Sequence, residues 1–153
     1  MHRRANPEPE LTADPSAVEL QRTLNLLLPI RRQRLSRSER QQREQERALR
    51  SLVEKKAEAD ERLAGRRQDY QQVRRAFDGQ NCGVRQEKFR LERAIQQEQQ
   101  AADRVDKEQM KLHQLAQQHG EQQVKVEQAQ QETRRRLREV EKLEYLLQQE
   151  RFA

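Results

Sequence analysis

Asp78-Gly79-Gln80-Asn81-Cys82-Gly83 is the strongest turn signal in the chain, and its reading decides the fold. Two glycines and an asparagine supply positions where φ can be positive, and Asp78 can bond its own backbone. A long stretch lies on each side. Residues 30–77 contain no proline and one glycine, Gly65; residues 84–150 contain no proline and one glycine, Gly120. Gln, Glu, Arg, Leu and Ala dominate both, and all of them favour helix.

The apolar period supports two helices. Leu28, Leu35, Gln42, Leu49, Lys56, Leu63, Tyr70 and Phe77 step by seven, with Leu24, Leu52, Ala59 and Val73 interleaved. Beyond the turn, Val84, Leu91, Glu98, Val105, Leu112, His119, Val126, Thr133, Val140 and Leu147 form a matching series. Such a repeat is a coiled-coil seam, weakened here by its polar members. Two long helices joined by one short turn fold back on each other. The expected fold class is therefore all-α: a long antiparallel two-helix coiled-coil hairpin with a disordered N-terminal tail.

Residues 1–13 read as that tail, with Pro7 and Pro9 among acids and no periodicity. Asp14-Pro15 is a helix start, since Asp caps free N–H groups and Pro suits the first helical position. The spacing predicts helix 1 over residues 15–78, with a kink or short break at Leu28-Pro29. The turn follows at 79–83 and helix 2 at 84–151. This hairpin pairs residues whose numbers sum to about 162, placing Leu20, Leu24 and Leu28 beside Leu137, Val140 and Leu143.

Composition excludes most alternatives. Of 153 residues, 32% are apolar, 38% charged and 3% aromatic, too little to fill the core of an α/β enzyme, sandwich or barrel. A two-helix hairpin lacks the concave, partly dry pocket that catalysis needs, so no enzyme activity and no cofactor are expected. His113 and His119 are six apart and cannot share a helix face as an i, i+4 metal pair does; His2 sits in the tail. A single cysteine, Cys82, fits a reducing compartment. No apolar run approaches the ~20 residues of a membrane span, and Leu26–Leu28 is too short for a signal peptide. A cytoplasmic protein without membrane insertion is the expectation.

The formal net charge of +6 points to an acidic partner. Arg31, Arg32, Arg34, Arg37, Arg40, Arg43, Arg47 and Arg50 form one run, and Arg134, Arg135, Arg136 and Arg138 a second. The hairpin register brings both towards the end that holds the termini. Arg31, Arg34 and Arg37 step by three and stay near one side. The plain reading is a solvated basic face with partners such as Glu39 to Arg43. The functional one is a basic collar against carboxylates or phosphates, which arginine grips in forked geometry. Nucleic acid is not the expected partner, because aromatics are scarce and acids nearly match bases. Tyr70, Val73 and Phe77 share a stripe near the turn, either packing the seam or forming a partly exposed patch.

Ile30-Arg31-Arg32-Gln33-Arg34-Leu35-Ser36-Arg37-Ser38-Glu39 resembles the N-terminal signature of the YscO/FliJ-type central stalk proteins of bacterial type III secretion and flagellar export, on the YscO/HrpO-like side. Ile30, Arg31, Arg34, Arg37 and Glu39 carry the pattern; Gln33 and Ser38 depart from it. The resemblance implies a non-catalytic stalk that inserts into the pore of a hexameric export ATPase and couples it to the export-gate membrane protein. Secretion chaperones are further implied partners. It implies a place at the cytoplasmic face of the inner-membrane apparatus, or partial secretion. By the motif, Arg31, Arg34 and Arg37 would contact the ATPase. By position alone, Arg134, Arg135, Arg136 and Arg138 would join them, and Tyr70, Arg74 and Phe77 would form the gate-facing tip. The alternative is a structural coiled-coil scaffold without an ATPase partner.

Overall fold

The structure, a computed structural model, describes residues 14–81 and 88–152. Two helices make up the fold, α1 (Pro15–Asn81) and α2 (Lys88–Phe152), with no strand among the described residues. They pack as an antiparallel hairpin. The expected disordered tail at 1–13 lies outside the described residues, as do Cys82 and Gly83 of the expected turn, whereas its residues 79–81 belong to α1.

Asp14 starts α1 as a cap. Its carboxylate accepts from the Ser16 N–H at 3.2 Å, and its carbonyl accepts from Val18 N–H at 3.0 Å. Pro15 occupies the first helical position, where no N–H is needed. The expected interruption at Leu28-Pro29 is absent as a break, because α1 runs through Pro29. Pro29 and Asn25, whose carbonyl loses its donor, are both exposed, so the missing bond faces solvent and not the seam.

Side-chain burial follows the seven-residue period. In α1 the half-buried and buried positions include Leu28, Leu35, Gln42, Leu49, Lys56, Leu63, Tyr70 and Phe77, the expected series. A second series interleaves: Leu24, Arg31, Ser38, Gln45, Leu52, Ala59, Arg66 and Val73. Both recur strictly every seven residues, which keeps the seam on one side of a long helix.

The chain divides into two compact units, Met1–Gln45 with Val126–Ala153, and Glu46–Lys125. In the first, Leu24, Val126, Val140 and Leu143 are the buried apolar residues, with Ser38 among them. Arg31 meets Glu139 there and Arg32 meets Glu144. In the second, Ala59, Leu63 and Ala101 are buried, with Glu108 and Gln122, and Arg62 meets Glu108.

These cross-helix pairs correct the expected register. The expectation set Arg31 opposite residue 131, whereas it faces Glu139, about one heptad further along. Leu137 and Leu20, expected to pack in the seam, are 43% and 48% exposed. The reason is the reversal point. Helix α1 continues through Asp78 and Gly79 to Asn81, and α2 is described from Lys88. Moving the reversal along the chain shifts the pairing by twice that amount.

Gly65 and Gly120 sit within helices, and a Cβ built on either meets nothing within 4 Å. Gly65→Ala with Gly120→Ala is expected to raise the unfolding free energy by about 1 kcal/mol for each site. Urea titration followed by circular dichroism measures it, and an unchanged midpoint would contradict the account.

A candidate basic docking surface

The first unit holds both arginine runs that the sequence singled out, up to Arg43 on α1 and from Arg134 to Arg138 on α2. Heptad position decides which way each side chain goes. A step of three falls behind the seam by about 50°. Arg31, Arg34 and Arg37 therefore fan over about 100° of one flank, from the seam outward. Arg31 lies in the seam, Arg34 beside it and Arg37 towards the outer face. On α2, Arg136 lies in the seam, while Arg134, Arg135 and Arg138 are exposed.

The two seam arginines are held by acids of α2. Arg31 Nη1 is 3.1 Å from Glu139 Oε2, and Arg136 Nη1 is 3.3 Å from the same oxygen. Arg136 Nε donates to Glu132 Oε1 at 2.9 Å, and Arg135 Nη2 lies 2.9 Å from both Glu132 oxygens. Charges of alternating sign thus run Arg31–Glu139–Arg136–Glu132–Arg135. Across the other flank, Arg32 Nη2 reaches Glu144 Oε1 at 3.2 Å. A count of arginines alone leaves out these acids: Glu132 and Glu139 flank the second run, and Glu144 lies further along α2. Extending the series Leu24–Arg31–Ser38 and Ala129–Arg136–Leu143 by sevens is the signal that finds the inward pair.

The hydrogen bond from Arg135 is the largest cause that holds the Glu132 carboxyl below its ordinary value of 4.5, with Arg136 adding to it and desolvation opposing. A depressed folded pKa stabilises the fold above the unfolded value and ceases to do so as pH falls through the folded one. Unfolding midpoints are therefore expected to drop on acidification below about pH 4.5. Glu132→Gln should flatten part of that slope, as urea titrations at stepped pH would reveal.

The outward arginines surround the first unit. Arg34, Arg37 and Arg135 lie on the flank that also carries Glu139; Arg43 and Arg134 lie on the Arg32–Glu144 flank. Arg40 and Arg138 point away from each other, each at the outermost position of its helix. Among the described residues, Arg34, Arg37, Arg40, Arg43, Arg134 and Arg138 make no ion pair within 4.0 Å. The register sets Arg34 and Arg37 level with residues 133–136. The result is a positive belt and not a one-sided patch.

In the second unit, Tyr70 and Phe77 are half-buried seam residues and Arg74 is exposed. The register places Tyr70 across from Ala101 and Phe77 across from Ala94, large against small. Among the described residues no group of three or more His, Cys, Asp or Glu could hold a metal ion. Among the described residues no helix is long and apolar enough to cross a membrane. In comparisons with known proteins, no family model, curated protein or solved structure matches the chain.

Proposed function

We propose that this chain is a non-catalytic stalk subunit of a type III protein secretion apparatus, seated in the pore of a hexameric export ATPase. The observation that carries the reading is the belt. Unpaired guanidinium groups lie on every side of the first unit, at the level of Arg34, Arg37, Arg134 and Arg138. A flat acidic partner engages one side of a helix pair; a ring engages all of them, and its acidic wall attracts such a belt. The resemblance of residues 30–39 supports the same assignment. Arg31 and Arg136 then act by holding the two helices together, leaving contact with the ATPase to the outward arginines. In this reading the second unit meets the export gate through exposed Arg74, with Tyr70 and Phe77 beside it in sequence. Secretion chaperones are further partners, and the site of action is the cytoplasmic face of the inner membrane.

The test uses the full chain and its cognate ATPase, read by phosphate release. Arg34→Glu with Arg37→Glu is expected to reduce stimulation about tenfold or more, with helicity unchanged. Full stimulation by that variant would overturn the reading. The exposed apolar residues Val18, Leu20, Leu26 and Ile30 favour a second reading, a scaffold that self-associates. Sedimentation separates the two: the stalk reading expects a monomer, the scaffold a stable oligomer.

A further inference from the structure

The second unit carries an uneven distribution of charge that the stalk reading does not use. The Glu108 carboxylate, 9% exposed, is 3.4 Å from Arg62 Nε and 3.8 Å from Lys111 Nζ. These contacts put Arg62 and Lys111 on the same flank of the seam. Heptad position adds Lys55, seven before Arg62, and Arg104, seven before Lys111. All four are exposed. Glu108 neutralises one charge of this group, and the nearby Asp69 lies 4.0 Å from Arg66. The opposite flank at this level mixes Asp60 and Arg67 with Ala102, Gln109 and Ala116. Positive charge is thus concentrated on one side.

We propose that the flank bearing Lys55, Arg62, Arg104 and Lys111 docks an acidic amphipathic helix of a partner protein. Seven residues of helix rise about 10 Å, so the cations recur at that interval along both α1 and α2. A third helix laid along the flank with carboxylates every seven residues matches the interval on both sides at once. Between Arg66, Asp69 and Arg104, a groove is floored by Val73 and Ala101. Val73 and Ala101 give this groove a small apolar floor among polar walls, against which one apolar side chain of the guest can rest. Phosphates of a nucleic acid strand recur more closely than the cations, and no aromatic side chain among these residues offers a stacking platform. The surface is separate in sequence from the arginine belt, and the proposal does not rest on the stalk reading.

The test is fluorescence anisotropy of the full-length protein with a labelled helical peptide of about four heptads, carrying one leucine stripe flanked by glutamates. The same peptide with glutamines, and an oligothymidylate, are the comparison probes. The glutamate peptide is expected to bind, and Arg104→Glu with Lys111→Glu to weaken it about tenfold or more. Arg50→Glu with Arg67→Glu, on the opposite flank, should leave binding within about twofold. Circular dichroism checks each variant. If the reversed charges cost helicity, Arg104→Gln with Lys111→Gln should still weaken binding in the same direction. The proposal is overturned by no binding, by equal binding of the glutamine peptide, by equal loss in the opposite-flank variant, or by tighter binding of the oligothymidylate. A self-associating protein whose flank cations are required for the association would overturn it too.

Discussion

Leu143→Ala is expected to lower the unfolding free energy by about 2–5 kcal/mol. Leu143 is 7% exposed, and among the described residues of the first unit it is one of four buried apolar residues, with Leu24, Val126 and Val140. Ordinary domains hold only about 5–15 kcal/mol in total, and a pair of helices buries one stripe on each. One truncation therefore removes a large share. Water can enter a seam that has no further layer behind it, which favours the lower part of the range. Leu26→Ala is the control. Leu26 is 67% exposed, so its loss should change stability by no more than about 0.5 kcal/mol. Urea titrations of both variants decide the matter, and equal effects would mean that the seam does not hold the fold.

Reversing Glu139 should have the second largest effect. Glu139 receives Arg31 from α1 and Arg136 from α2, at 3.1 and 3.3 Å. The side chains of Arg31 and Glu139 are 31% and 28% exposed, between a surface pair and a buried one. Pairs at those limits contribute up to about 1 kcal/mol and cost about 3–5 kcal/mol when broken. Glu139→Arg leaves two guanidiniums facing a third, so a loss of about 1–3 kcal/mol is expected. Adding Arg31→Glu restores an opposite pair across the seam and should recover part of it. The double-mutant cycle isolates the coupling, and a value indistinguishable from zero would remove Arg31–Glu139 from the account. Salt at about 1 M, with a Debye length of about 3 Å, should shrink the coupling.

The two helices were legible in the sequence because leucines at seven-residue spacing leave few other ways to bury them. Their alignment was not. Sliding one helix by a heptad still sets seam against seam, and it offers Arg31 Glu132 in place of Glu139. Neither apolar period nor charge distinguishes the two registers, so the choice fell to the turn. Asp78 and Gly79 carry turn chemistry yet lie inside α1. Propensity at two residues was outweighed by a long helix with its seam still occupied at Phe77. The arginine-rich stretches were equally plain as charge. What the count of arginines did not give was direction: Arg31 and Arg136 fall on seam series that otherwise carry Leu24, Ser38, Ala129 and Leu143. The cations of the second unit were invisible as a group until the register joined Arg62 of α1 to Lys111 of α2 through Glu108.

Pro29 leaves α1 whole but short of one rung in its ladder, on the side away from α2. A beam loaded sideways yields first where a rung is missing. Mechanical strain reaching this part of α1 would collect in the single turn from Asn25 to Pro29, and the layers of leucine beneath it would keep their places while the outer wall flexed.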